Sequence, residues 1–131
     1  MKIERFEDLI AWQKARQLTK RVYLASREGP FAQDFGMCHQ IRKSALSVPS
    51  NIAEGFERGS RAQFQHFLTI AKGSCAELRT QLYVAHDVGY IDEATVTAML
   101  RDAEEVGRIV GGLRSAVARQ RTQSSVLSPH H

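Results

Sequence analysis

The sequence predicts an all-α protein, an antiparallel up-and-down four-helix bundle, on three observations. Apolar residues recur at steps of three and four over four long segments. Breaker pairs and capping residues fall between those segments. No alternating run of β-branched residues and no Asn-Gly turn offers a strand.

The first helix is expected from about Glu7 to Glu28, ending at Gly29-Pro30. Glu7 and Asp8 suit the positive end of a helix dipole. Ala11, Ala15, Leu18, Val22 and Ala25 form one stripe, with Trp12 on its flank. The second helix is expected from about Gly36 to Glu57, with Met37, Ile41, Ala45, Val48, Ile52 and Phe56 on one face. Pro49 interrupts that pattern. It lacks an N–H and crowds the carbonyl four residues back, which predicts a kink near Ala45–Pro49, with two shorter helices as the alternative.

The third helix is expected from Ser60 to about residue 88, and Ser60 and Gln63 have the spacing of a capping box. Phe64, Phe67, Leu68, Ala71, Cys75, Leu78, Leu82 and Ala85 carry its core face up to Gly89-Tyr90. Asp92 is a good N-cap for the fourth helix, residues 93–119. There Val96, Met99, Leu100, Ala103, Val106, Val110, Leu113 and Val117 recur at helical spacing. Long helices with short connections pack as antiparallel neighbours. Residues 1–119 are therefore one bundle, and the polar, aperiodic segment 120–131 is expected to be a disordered tail.

At 131 residues the chain can bury one core without staples. No apolar run approaches the ~18 residues that span a membrane, and the charged start MKIERFEDL is unlike a signal peptide. Cys38 and Cys75 fall in apolar-periodic segments without metal-type spacing, so they read as reduced, buried thiols of a cytoplasmic protein. Inward Glu-x-x-His pairs, zinc spacings, phosphate-loop glycines and nucleophile motifs are all missing from the sequence. The expectation is a non-enzyme with no catalytic residue, no metal and no cofactor.

Three surface patterns remain. The net charge of +4 is mild, but Lys14, Arg16, Lys20, Arg21 and Arg27 follow one another on the first helix with no acid between them. Arg16, Lys20, Tyr23 and Arg27, spaced four, three and four, lie nearly opposite Leu18 and Val22. A basic stripe with an interleaved aromatic suits phosphates and stacked bases; the same stripe also suits a plain solvated face. On the second helix Gln40, Ser44, Ser47, Asn51 and Glu54 form a polar stripe beside the apolar one. It is either solvated or a seam whose hydrogen bonds set the register against another helix or subunit. On the fourth helix Ala103, Gly107 and Gly111, with Ser115 and Gly112, form a small-residue stripe. Each helical glycine costs ~1 kcal/mol relative to alanine, so the stripe points to a close helix contact, within the bundle or between subunits.

The segments FEDLIAWQKARQLTKRVY, QIRKSALSVPSNIAEGFERGS and FLTIAKGSCAELRTQLYVAHDVGYI resemble the four-helix-bundle family encoded in intervening sequences of bacterial large-subunit ribosomal RNA genes. The resemblance runs over roughly residues 5 to 115, and Ser47-Val48-Pro49-Ser50-Asn51-Ile52-Ala53-Glu54-Gly55 is its most specific stretch. It implies a homopentamer and kinship with the basic, pentameric accessory protein of diversity-generating retroelements, which binds nucleic acid and a reverse transcriptase. It implies no catalytic residues. The expected partners are thus copies of the chain itself, RNA or DNA backbone, and another protein, with no membrane.

Overall fold

The computed structural model describes residues 3–120. A single 3₁₀ turn, Phe6–Asp8, precedes helices α1 (Ile10–Ser26), α2 (Gly29–Gln33), α3 (Phe35–Glu57), α4 (Arg61–Asp87) and α5 (Glu93–Arg119). No strand occurs among the described residues. The tail expected from residue 120 lies, from 121 onward, outside them.

The four long helices follow the apolar periodicity, and the differences arise at the ends of α1. Leu9 is fully buried and extended, with φ −73° and ψ 127°, so α1 starts only at Ile10. Glu7 and Asp8 sit in the 3₁₀ turn instead of the first turn of α1. At the other end Gly29 adopts φ +55°, a conformation that costs glycine little. Pro30, read as a breaker, opens the short helix α2, where its fixed φ and missing N–H are no handicap. Helix α2 delivers Phe31, 1% exposed, to the core. Five residues are too few to show a period.

Three side-chain caps set the remaining boundaries. Asp34 Oδ1 accepts from the Met37 amide at 2.9 Å, Ser60 Oγ from Gln63 at 3.1 Å, and Asp92 Oδ1 from Thr95 at 2.8 Å. Hydrogen bonds from Thr95 hold the Asp92 carboxyl below its ordinary range. Helix α3 runs unbroken through Pro49, so the reading as two shorter helices does not hold. The carbonyl that Pro49 cannot satisfy, that of Ala45, lies 3.0 Å from the buried Thr19 hydroxyl of α1.

Each long helix packs on two others, in the ring α1–α3–α4–α5. Their contacts run in opposite senses. Ser26 and Thr19 of α1 meet Cys38 and Ala45 of α3. Gly55 and Ser47 of α3 meet Phe67 and Ser74 of α4. Arg79 and Thr69 of α4 meet Glu104 and Arg114 of α5. The bundle is therefore up-down-up-down. Leu18, Ile41, Leu78 and Leu113 are all at most 2% exposed, as expected for the core. Burying each such side chain contributes ~1.5–3 kcal/mol. Cys38 and Cys75 are buried free thiols. Burial pushes the Cys75 thiol up to about 11, against a smaller opposing effect of Arg79.

Candidate nucleic-acid interface

Helix α1 buries Ala11, Ala15, Leu18, Thr19 and Val22, which turns Arg16, Lys20, Tyr23 and Arg27 outward, all exposed. Its two flanks differ in charge. Toward α5, Lys14 Nζ pairs with Glu105 at 3.0 Å and Arg21 pairs with Asp102. Toward α3 no comparable ion pair occurs among the described residues. Arg16 lies 5.5 Å from the Trp12 ring centroid, an aromatic partner that leaves its charge intact. Among the described residues Arg27 reaches only its neighbour Glu28, at 3.9 Å with both side chains mostly exposed, a contact of little worth. Lys20 makes no ion pair among the described residues.

Helix α3 extends this basic flank with residues the sequence reading did not single out. The Arg42 guanidinium lies 5.0 Å from the Tyr23 ring centroid, held by its Nε donating to Ser26 Oγ at 2.8 Å. Tyr23, Arg27, Phe35, His39, Arg42, Lys43 and Leu46 line one groove of about 670 Å³ between α1 and α3. Phe35 is 78% exposed and Leu46 48%. Phe35, His39, Arg42 and Leu46 are spaced four, three and four, the spacing that revealed the α1 stripe. The groove thus offers cations above exposed aromatic and aliphatic faces, a surface suited to phosphates and unstacked bases.

The other two patterns divide between interior and surface. In the middle of the polar stripe, Ser44 is buried, Ser47 Oγ meets Ser74 Oγ of α4 at 2.8 Å, and Asn51 donates to the Ser47 carbonyl and hydroxyl at 2.7 and 2.9 Å. The Ser47–Ser74 bond joins α3 to α4, and the Asn51 bonds stay within α3 and hold Ser47 in place. Gln40 and Glu54, at the ends of the stripe, are exposed, and Glu54 pairs with Arg58 of its own helix. On α5, Ala103 is fully buried, while Gly107 and Gly111 open into a groove between α4 and α5.

Among the described residues no cluster of His, Cys, Asp and Glu could hold a metal ion, and no helix is long and apolar enough to cross a membrane. A search of curated proteins returned no match. Among solved structures, a Bacteroides thetaiotaomicron protein, described as of unknown function and from the S23 ribosomal protein family, is similar with a TM-score of 0.74 and 23% identity. That likeness covers 80% of this chain and 98% of the other, and it shows a shared fold. Its description names no enzymatic activity. The model of the 23S rRNA-intervening sequence protein family matches residues 7–112. With most of its length matched, the chain belongs to the 23S rRNA-intervening sequence protein family.

Proposed function

We propose that the protein is a non-enzymatic, homo-oligomeric helical scaffold, of five copies on the family resemblance, that binds RNA or DNA weakly through the phosphate backbone. The observation that carries this reading is the asymmetry of α1: its α5 flank is neutralised by Glu105 and Asp102, its outward face leaves Arg16, Lys20 and Arg27 exposed, and Arg27, Arg42 and Lys43 line the groove toward α3 with exposed Tyr23 and Phe35. Self-association is supported by Val84 and Val88, apolar, exposed and one turn apart at the C-terminal end of α4. Copies multiply a weak site, because contacts on one polymer act at high effective concentration.

Retention of single- and double-stranded oligonucleotides at ~50 mM salt tests binding where phosphate attraction is strong. Wild-type protein should be retained, with little base preference, and the Arg16→Gln, Lys20→Gln, Arg27→Gln variant should bind less and with a flatter salt dependence. No retention of any nucleic acid would defeat the reading. Light scattering on both proteins checks that assembly is unchanged, and a strictly monomeric mass at micromolar concentration would remove the oligomeric part.

A second reading has its own observation. Phe35 and Leu46, three turns apart on α3, are both apolar and exposed along the same groove, which suits an adaptor docking another polypeptide. Salt weakens phosphate binding steeply and apolar docking little, so a salt titration separates the two.

A further inference from the structure

The groove between α4 and α5 lies on a different face from the α1–α3 surface and carries a pattern of its own. Its floor includes Gly107 and Gly111, and its rims carry Lys72 and Arg79 from α4 and Arg108 and Arg114 from α5, with Glu104 as the acid in the lining. Register across the groove follows from the contacts between its two walls. Arg79 meets Glu104 at 3.6 Å, a Cβ on Gly107 would lie 3.9 Å from Cys75, a Cβ on Gly111 would lie 3.4 Å from Lys72 Nζ, and Arg114 donates to Thr69 at 3.2 Å. Continuing that register sets Arg108 about level with Cys75.

Four cations therefore follow one another along the groove, alternating between rims, level with positions 69, 72, 75 and 79 of α4. At 1.5 Å rise per residue, those steps of three, three and four are about 4.5, 4.5 and 6 Å. This is the axial spacing of side chains on one face of an α-helix, where positions three and four apart are neighbours. At Gly107 no side chain would hold a third helix away from the floor, and at Gly111 the flexible end of Lys72 lies over the floor and must swing to the rim to admit one; helix axes approach to about 8 Å only over small residues. Glu104 balances one cation, Arg79, and leaves the other three without an ion pair among the described residues.

We propose that this groove docks an α-helix of another protein that bears carboxylates at intervals of three or four residues along one face. The occupant is identified by charge complementarity and by spacing together. A helix presents its carboxylates at the same rise as the cations and fits the glycine floor, and a neutral helix leaves three cations facing one another across the groove. Recognition is of the helix-in-groove kind, with the rim charges setting register and orientation. The proposal does not rest on nucleic-acid binding at α1 and α3.

The test uses a labelled alanine-based peptide of about 20 residues, long enough to be helical in water, with glutamates at steps of three, three and four. A second peptide has the same composition with glutamates at steps of five, which spreads them around the helix and leaves none three or four apart. Fluorescence anisotropy with the full chain should show the first peptide binding about tenfold more tightly than the second. The Lys72→Gln, Arg108→Gln variant, changed at two exposed side chains, should lose about four- to twenty-five-fold in affinity, at two- to fivefold per cation. Gly107→Leu should abolish binding by filling the floor, and circular dichroism separates that from misfolding; the double variant carries the test if Gly107→Leu does not fold. Equal binding of the two peptides, or an unchanged double variant, overturns the proposal. So does a drop in oligomeric mass confined to the double variant, which would assign the groove to a second copy. Retention of oligonucleotide lost in the double variant and kept in the α1 triple variant would assign it to nucleic acid instead.

Discussion

The Thr19 hydroxyl of α1 lies 3.0 Å from the Ala45 carbonyl of α3, the carbonyl that the ring of Pro49 deprives of its helical donor. The same hydroxyl is 2.8 Å from the Ala15 carbonyl of its own helix, so its single proton is shared between the two. Thr19→Val keeps the shape and removes the donor. It should destabilise the bundle by about 1–3 kcal/mol, the cost of an unpaired buried carbonyl. Pro49→Ala restores the helical amide four residues on, so the valine substitution should cost less in that background. Urea unfolding of the four proteins gives the coupling, expected at about 0.5–3 kcal/mol, and strict additivity would show that the two sites do not communicate.

A second tie closes the end of the bundle where both Asp34 and Tyr90 lie. The Tyr90 hydroxyl donates to Asp34 Oδ2 at 2.7 Å, and its ring stacks on Phe31 with centroids 5.1 Å apart. The Met37 amide, and after it the Tyr90 hydroxyl, hold the Asp34 carboxyl below its ordinary 3.8. The bond to Asp34 in turn raises the Tyr90 phenol above 10.0. A lowered carboxyl stabilises the fold above its ordinary value and loses that effect as pH falls through the lower folded value. A raised phenol stabilises below its ordinary value and loses that effect as pH rises through the higher one. Thermal melts should therefore show an acid limb beginning near pH 4 and an alkaline limb beginning near pH 10. Tyr90→Phe should remove its share of the alkaline limb and shrink the acid limb only in part, since the Met37 amide remains the larger influence on Asp34.

Two glycines should respond in opposite directions to alanine. A Cβ on Gly55 would stand 2.7 Å from Phe67 Cβ and 3.1 Å from the Phe64 ring, at the close crossing of α3 and α4. Gly55→Ala should destabilise by about 1–3 kcal/mol of overpacking, less up to ~1 kcal/mol of helical gain. A Cβ on Gly112 meets nothing within 4 Å, so Gly112→Ala should stabilise by about 0.5–1 kcal/mol. Denaturant midpoints at constant slope report both.

Bases on the two flanks of α1 should not be equivalent. Arg42→Gln removes a cation that lies over Tyr23, and should lower nucleic-acid retention while reducing the salt slope by about 0.7–0.9 if that cation neutralises one phosphate. Lys14→Gln removes a base already engaged with Glu105 and should leave retention within about twofold of wild type. Equal losses at the two positions would mean that net charge alone, and no particular face, governs binding.

The long helices were legible because each buries one stripe, and a stripe repeated over seventeen or more residues leaves a period that survives exceptions such as Pro49. The caps at Ser60 and Asp92 were legible because their chemistry is local. Helix α2 was not, being one turn defined by where Phe31 packs. At the candidate sites, sequence placed Arg16, Lys20, Tyr23 and Arg27 on one face because they share a helix. It missed Arg42 and Lys43, and the cations of the α4–α5 groove, because their neighbours belong to other helices and proximity across a groove depends on register between elements. The polar stripe shows the same limit: spacing set Ser47 and Asn51 on one side of α3, and only the packing of α4 supplied Ser74 as the partner.

Trp12 is the single tryptophan of the chain. It stands edge-on to Phe6 at 5.3 Å and carries the Arg16 guanidinium 5.5 Å from its ring centroid. An indole's emission responds to a charge held against it, so this residue is a built-in optical probe of the outward face of α1. A polyanion that draws Arg16 away changes the field on the ring and the light it emits, with no label attached. Occupation of the α4–α5 groove, on the far side of the core, leaves that signal where it was, so one fluorometer trace tells which face of the molecule has been engaged.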